Sequence, residues 1–318
     1  MKLVSIVVPF YNEEPMAPHF FSKLFEVLNG LKQYQFEIVA VNDGSKDNTL
    51  NILKDIQQEH KEIRIVNLSR NFGHEPAVAA GLNVSKGDAI IPMDADLQDP
   101  PEVIPLLLEK WEEGFEVVNA KRVSRKKDTA FKRNSAGIYY RILDKLSPKV
   151  KIPQNVNNFR LLDRKVVDTI NQLPETNRVL RIEVPFVGFK ICEVEFARQE
   201  RAKGESHYPL KSMINLATSS LTSLSTKPLS WSMPISIVLF CLFVLSGITE
   251  LVFFILQACN VHIFMSEVGY WGWLIINVLL LLGFVVGFML TILSLYTAKV
   301  VEESQGRPSV IIREVIRK

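Results

Sequence analysis

The sequence predicts an α/β domain on a parallel sheet, followed by two membrane-crossing helices. Three observations predict it. Short apolar runs alternate with longer helical patterns from residue 3 to residue 120. Two long apolar runs lie back to back near the C-terminus. The hydrophobic content of 47% also exceeds what one soluble domain of 318 residues needs.

Strands are expected at residues 3–9, 36–41, 63–68, 89–93 and 116–120, with helices between them at 17–31, 48–59, 75–84 and 102–113. Strands this continuously apolar are buried on both faces by the intervening helices, and ligands then collect at their carboxyl ends. After residue 120 the alternation breaks. Residues 121–133 set seven Lys or Arg against the single acid Asp128, a solvated loop suited to anionic substrates near anionic lipid. A further strand is expected at 188–198, where Cys192, Val194 and Phe196 alternate with Glu193 and Glu195. Next, Leu210, Met213, Ile214, Ala217, Leu221 and Leu224 fall on one helical face, which suits a helix lying in the lipid interface.

The first apolar run, 234–257, contains one charged residue, Glu250, and the second, 271–298, contains none. Each exceeds the roughly 20 residues that span a bilayer as a helix. Lys211 and Lys227 precede the pair, and Lys299, Arg307, Arg313, Arg317 and Lys318 follow it, whereas 258–270 has no Lys or Arg. Both termini are therefore expected in the cytoplasm. Trp231, Trp271 and Trp273 stand where interfacial aromatic belts form. Gly283 and Gly287 form a small-xxx-small pair, from which a homo-oligomer is expected. The net charge of +3 does not suggest nucleic-acid binding. Cys192, Cys241 and Cys259 have no metal-site spacing.

Three strand ends carry groups that do chemistry: Pro9-Phe10-Tyr11-Asn12-Glu13, Asn42-Asp43-Gly44-Ser45, and Asp94-Ala95-Asp96-Leu97-Gln98-Asp99. A nucleoside diphosphate needs acceptors for the donors of base and ribose, and a divalent cation to offset its charge. Carboxylates serve both needs, and Mg²⁺ is usually held by one or two of them together with phosphate oxygens.

On these residues the chain resembles the family 2 glycosyltransferases of the GT-A fold, in the branch of dolichyl-phosphate mannose synthases and bactoprenol glucosyltransferases. The resemblance is carried by VSIVVPFYNEE (4–14), VNDGSKDNT (41–49), LSRNFGHEPA (68–77), MDADLQDPPE (93–102), FRLLDR (159–164), VGFK (187–190) and ERAKGES (200–206). It implies a catalytic domain at 1–208, a juxtamembrane amphipathic helix at 209–230, a two-helix transmembrane hairpin at 231–298 and a cytoplasmic tail at 299–318.

The resemblance also implies roles. Pro9, Tyr11, Asn12, Glu13, Asp43 and Ala95 would line the nucleotide-sugar site. Asp94 and Asp96 would hold Mg²⁺ or Mn²⁺ and the diphosphate, with Gln98 as a further ligand. Arg122, Arg160 and Arg201 would reach phosphates of donor or acceptor, and Ser206 and Tyr208 would close over them. The implied reaction is inverting transfer of a sugar, glucose or N-acetylglucosamine, from a UDP-sugar to undecaprenyl phosphate at the inner membrane, for cell-envelope glycan modification.

The chain departs from the family pattern in three places. Asn157-Asn158 stands where a Gly-Asp pair usually supplies a general base, and an amide accepts no proton at neutral pH. A phosphate monoester, with a second pKa of about 6, is largely dianionic already and hardly needs one. Arg181-Ile182 with Phe186, and His207, also differ, on the expected acceptor side. A second reading of Asn158 is a non-catalytic paralogue that binds nucleotide sugar or lipid as a partner subunit. A processive polysaccharide synthase is disfavoured, because no Gln-x-x-Arg-Trp motif occurs.

Overall fold

The computed structural model describes residues 1–122, 156–175, 178–196 and 267–317, with isolated helical positions between 238 and 256. The chain divides into two units, Met1–Leu210 with Gly306–Lys318, and Lys211–Gln305.

In the first unit, strand and helix alternate as the sequence predicts: β1 (Lys2–Phe10), α1 (Ala17–Leu28), β2 (Tyr34–Asn42), α2 (Thr49–Glu59), β3 (Ile63–Leu68), α3 (His74–Val84), β4 (Ala89–Pro92), α4 (Ile104–Glu112) and β5 (Val117–Arg122). Then follow β6 (Val156–Asp163), α5 (Arg164–Asn171), α6 (Leu180–Val187) and β7 (Ile191–Phe196). Among the described residues they form one sheet in the order β7-β5-β6-β4-β1-β2-β3-β8, whose last strand, β8, is Ile312–Ile316.

The sheet is mixed rather than purely parallel. β6 runs antiparallel to both β4 and β5, and β8 antiparallel to β3. The expected tail at 299–318 therefore contains an edge strand. Asn67 Nδ2 donates to Glu314 Oε1 at 3.0 Å and Gln57 Nε2 to the Ile316 carbonyl at 3.0 Å, so polar groups on β3 and α2 fix it in register. The basic segment expected as a loop from 121 also begins as strand. Lys121 and Arg122 end β5, where Lys121 pairs with Glu193 of β7 at 2.8 Å; residues 123–133 lie outside the described residues.

Both faces of the sheet are covered, which explains the unbroken apolar strands. Ile6, Val8, Ile38 and Ala40 pack under Phe20, Leu24, Leu107 and Trp111 of α1 and α4. Val7, Val39 and Val41 pack under Ala77, Val78, Val166 and Val184 of α3, α5 and α6. Gly81 lets α3 approach most closely, since a Cβ there would stand 2.2 Å from Val7 Cγ1. That close seat places the first turn of α3 beside the carboxyl ends of β1 and β4.

In the second unit, α7 (Glu267–Ser304) replaces the shorter run expected at 271–298. Its stretch Leu281–Ser304 is the one segment among the described residues long and apolar enough to cross a membrane, and none of it is buried. Most of the first expected span lies outside the described residues. Its described positions, including Val238, Leu245, Ile248, Val252 and Ile255, are helical and expose their side chains.

Candidate active site

The three polar strand ends come together because β4, β1 and β2 are neighbours in the sheet. The chain leaves β1 toward β2 and β3 and returns to β4 on the opposite side. Strand order thus reverses at the β1/β4 boundary, where open α/β sheets bind ligands.

The turn after β1 is held by the turn after β2. Asn12 takes a left-handed backbone (φ 53°), a conformation asparagine tolerates better than most residues. Its amide donates to Ser45 Oγ at 3.1 Å, its Oδ1 accepts from the Lys46 amide at 2.8 Å, and the Glu13 amide donates to Thr49 Oγ1 at 3.0 Å. Tyr11 is left 42% exposed beside this lattice, where an aromatic ring can meet a base. Gly44 is required here. At φ 63° its Cβ position would fall 2.3 Å from the Arg70 carbonyl carbon, so the turn after β2 lies against the loop after β3.

Asp43 secures that loop. It is buried, and it accepts from the Phe72 amide at 2.7 Å, the Gly73 amide at 3.0 Å and Asn71 Nδ2 at 3.1 Å. Burial raises its pKa above the usual carboxylate value, against the two amide bonds that lower it. The residue expected at base or ribose turns its oxygens inward, to the loop that starts α3.

At the end of β4, Asp94 and Asp96 are partly exposed, whereas Ala95, Leu97, Gln98 and Asp99 are buried. Asp96 Oδ1 accepts from the Gln98 amide at 3.0 Å, closing a turn through Leu97 at φ 57°. A leucine in the left-handed region costs of order 1 kcal/mol, so the surroundings must hold the turn. Asp99 does so through Arg122, whose Nη2 donates to both its oxygens at 2.7 Å and whose Nε donates at 3.0 Å. Arg122, expected on a substrate phosphate, is committed to this ion pair and only 14% exposed.

His74, the first residue of α3, sets its Nε2 at 2.8 Å from Asp94 Oδ1. Burial pulls the His74 pKa down; the hydrogen bond and charge of Asp94, then Glu75 and Asp43, outweigh that and raise it to about 9. Beside it, Glu75 Oε1 accepts from Asn158 Nδ2 at 3.0 Å. Asn158 is 6% exposed.

Arg160, two residues along β6, is fully buried. Desolvation, then the like charge of Arg181, pulls its pKa down to about 10, against the charge of Glu75. A direct contact of Arg160 with a substrate phosphate, as expected, would require the covering side chains to open.

A profile of the family described as "Glycosyl transferase family 2" matches residues 5–170. An uncharacterized glycosyltransferase of Bacillus subtilis, YkcC, is 39% identical over 98% of this chain and 93% of its own length. The bactoprenol glucosyl transferase of Shigella phage SfV is 38% identical over 98% of both chains. The chain belongs to glycosyl transferase family 2. Among solved structures, glucosyl-3-phosphoglycerate synthase of Mycobacterium tuberculosis, crystallised with Mg²⁺ and UDP, superposes with a TM-score of 0.50 at 17% identity, covering 70% of this chain and 78% of that one. The glycosyltransferase therefore has the GT-A arrangement, a Rossmann-like mixed sheet.

In this glycosyltransferase Pro9, Tyr11, Asn12, Glu13, Asp94 and Asp96 share one end of the sheet. Arg201, Ser206 and Tyr208 lie outside the described residues. Sequence reasoning gave no role to His74, Glu75 or Asp99. A glycine followed by an acidic residue in the first turn of a helix is a start signal that could have drawn attention to the first two. Asp99 could be found only by seeing that β5 ends beside it.

Proposed function

We propose that the glycosyltransferase performs inverting transfer of a sugar, glucose or N-acetylglucosamine, from a UDP-sugar to undecaprenyl phosphate at the cytoplasmic face of the inner membrane. The product is a lipid-phosphate-linked sugar for modifying cell-envelope glycan. The observation that carries this reading is the Asp94/Asp96 pair at the β1/β4 switch point. The end-to-end match to a bactoprenol glucosyl transferase, through the apolar C-terminal region, supports the lipid acceptor.

The donor set suits Mg²⁺ or Mn²⁺. Among the described residues no group of three or more His, Cys, Asp or Glu is placed to cage an ion. Asp94 and Asp96 would hold it jointly with diphosphate oxygens and water, the usual mode for Mg²⁺. Such an ion offsets the charge that collects on the departing diphosphate. Tyr11, Pro9 and Glu13 would line the base and ribose, Asn12 and Asp43 would fix the turns that present them, and Gln98 and Arg122 would support the Asp94–Asp96 turn. Arg201, Ser206 and Tyr208 would hold the acceptor phosphate. Its oxygen attacks the anomeric carbon from the face opposite the diphosphate, which inverts that centre.

The test is a screen of UDP-sugars against undecaprenyl phosphate with lipid-product detection. Lipid-linked hexose from UDP-glucose or UDP-N-acetylglucosamine, abolished by EDTA, is the expected result. No product from any donor would sink the reading.

The apolar C-terminal region would place the catalytic domain and both termini in the cytoplasm, with two spans, the second being α7. Among the described residues, nothing beyond the helix's own adjacent backbone lies within 4 Å of the Cβ positions of Gly283 and Gly287, and such a stripe would receive another helix. A homo-oligomer is expected in mild detergent, and a monomeric mass would contradict it.

A further inference from the structure

From the β4 end to β6 runs a chain of side chains that joins two positions marked by the sequence, Asp94 and Asn158, through two that it left without a role, His74 and Glu75. Asp94 Oδ1 is 2.8 Å from His74 Nε2, His74 Nδ1 is 4.0 Å from Glu75 Oε1, and Asn158 Nδ2 donates to that same Oε1 at 3.0 Å. The Leu180 amide donates weakly to the other Glu75 oxygen, at 3.4 Å. Glu75 is thus one imidazole away from a carboxylate assigned above to the donor diphosphate. Its side chain is 34% exposed, so a substrate can reach it.

We propose that Glu75 accepts the proton of the lipid phosphate and that Asn158 holds its carboxylate in place for this; the proposal rests on the acceptor assigned under the proposed function. The groups around Glu75 fit the task. His74 faces it from its own helix, with Asp94 of the β4 end beyond. Arg160 of β6 interacts with the charge of Glu75, and Arg181 of α6 with that of Arg160. The amide at 158 matters for the same reason. An aspartate there would set two carboxylates about 3 Å apart, and such a pair shares one proton instead of staying ionised.

The acceptor's second ionisation lies near pH 6, and an anionic leaflet at about −30 mV raises its apparent value by roughly half a unit. Below neutrality a large share of the acceptor is therefore monoanionic. As its oxygen bonds to the anomeric carbon, its proton passes to the Glu75 carboxylate. The bond from that carbon to the diphosphate oxygen breaks, and the diphosphate leaves with the electron pair. Above about pH 8 the acceptor is dianionic and no proton moves.

The pH dependence of turnover tests this, using the full chain with undecaprenyl phosphate in anionic vesicles. Glu75→Gln is expected to lower kcat about tenfold at pH 5.5 and less than about threefold at pH 8.5, since only the dianion remains usable. Asn158→Asp in the Glu75→Gln background moves the carboxylate across the same hydrogen bond, and should return kcat at pH 5.5 to within about threefold of wild type. UDP affinity should stay within about twofold in both variants, which reports an intact donor site.

A loss equal at both pH values, or no loss, overturns the proposal. If Glu75→Gln fails to bind UDP, Asn158→Asp alone is decisive. Its like-charge pair should cost about tenfold at pH 5.5 relative to pH 8.5, and an unchanged profile overturns the assignment. A wild-type protein that transfers to no lipid phosphate refutes the proposed function and this inference together. An active wild type with a pH-independent Glu75→Gln refutes the inference alone.

Discussion

Alanine at both Asp94 and Asp96 is expected to reduce transfer by about 10³-fold or more and to weaken UDP binding at least tenfold. These are the partly exposed carboxylates at the β1/β4 switch point. Without them the diphosphate would enter the crevice with no cation to offset its charge. Little of the loss should come from unfolding. Asp94 gives up its bond with His74 and Asp96 its bond from the Gln98 amide, both at partly exposed positions. Calorimetry with UDP, with and without Mg²⁺, separates the two effects. Wild-type binding should depend on the ion and the double variant should not respond to it. An affinity unchanged by the double substitution would remove the basis for the site.

His74 offers an independent readout of the same substitution. Asp94 supplies both its hydrogen bond and the nearest negative charge that raises its pKa to about 9. In the double variant the imidazole should titrate at lower pH, which NMR of the ring protons can follow. The raised His74 pKa thus rests chiefly on the Asp94 contact, since the helix N-terminus itself disfavours a cation.

How far the sequence reveals this molecule depends on the range of the interaction concerned. β1 to β5 were legible because each buries apolar side chains on both faces, a pattern local to a few residues. The carboxylates at 94 and 96 were legible because strand ends in such sheets are exposed where the strand order reverses. β6 does not read as a strand from its sequence, although its FRLLDR segment carries part of the family resemblance. Its polar Asn158 and Arg160 break the apolar pattern, and only pairing with β4 and β5 makes it strand. β8 has no apolar alternation to reveal it: only its end residues Ile312 and Ile316 are partly buried, and it depends on an edge of β3 far away in sequence. The partners of Arg122 and Asn158 were hidden too, because hydrogen bonds between residues 23 and 83 positions apart leave no periodic trace.

Arg122→Met is expected to destabilise the catalytic unit by about 3–5 kcal/mol near neutral pH, because it strands a buried charge. Asp99 is 1% exposed, and Arg122 supplies three hydrogen bonds to its carboxylate. Burial raises the Asp99 pKa, the hydrogen bond and charge of Arg122 lower it, and the nearby charges of Asp94 and Asp96 raise it again. Of these, removing Arg122 leaves the raising influences.

A carboxyl whose folded pKa lies above its unfolded value costs stability in full once the pH exceeds the folded value, and that cost fades as the pH falls from there toward the unfolded value. The melting-temperature deficit of Arg122→Met should therefore be largest near pH 8 and shrink toward pH 5. Adding Asp99→Asn removes the charge that needed a partner. The double variant should then recover most of the stability at neutral pH and lose the pH dependence of the deficit. A deficit that stays constant with pH in the single variant would mean that Arg122 acts by packing alone. Activity should follow the same logic, since the pair anchors the turn in which Leu97 is held at φ 57° between Asp96 and Asp99. A loosened turn lets Asp96 drift from Asp94, so the Mg²⁺ concentration needed for half-maximal transfer should rise in Arg122→Met even at temperatures where the protein remains folded.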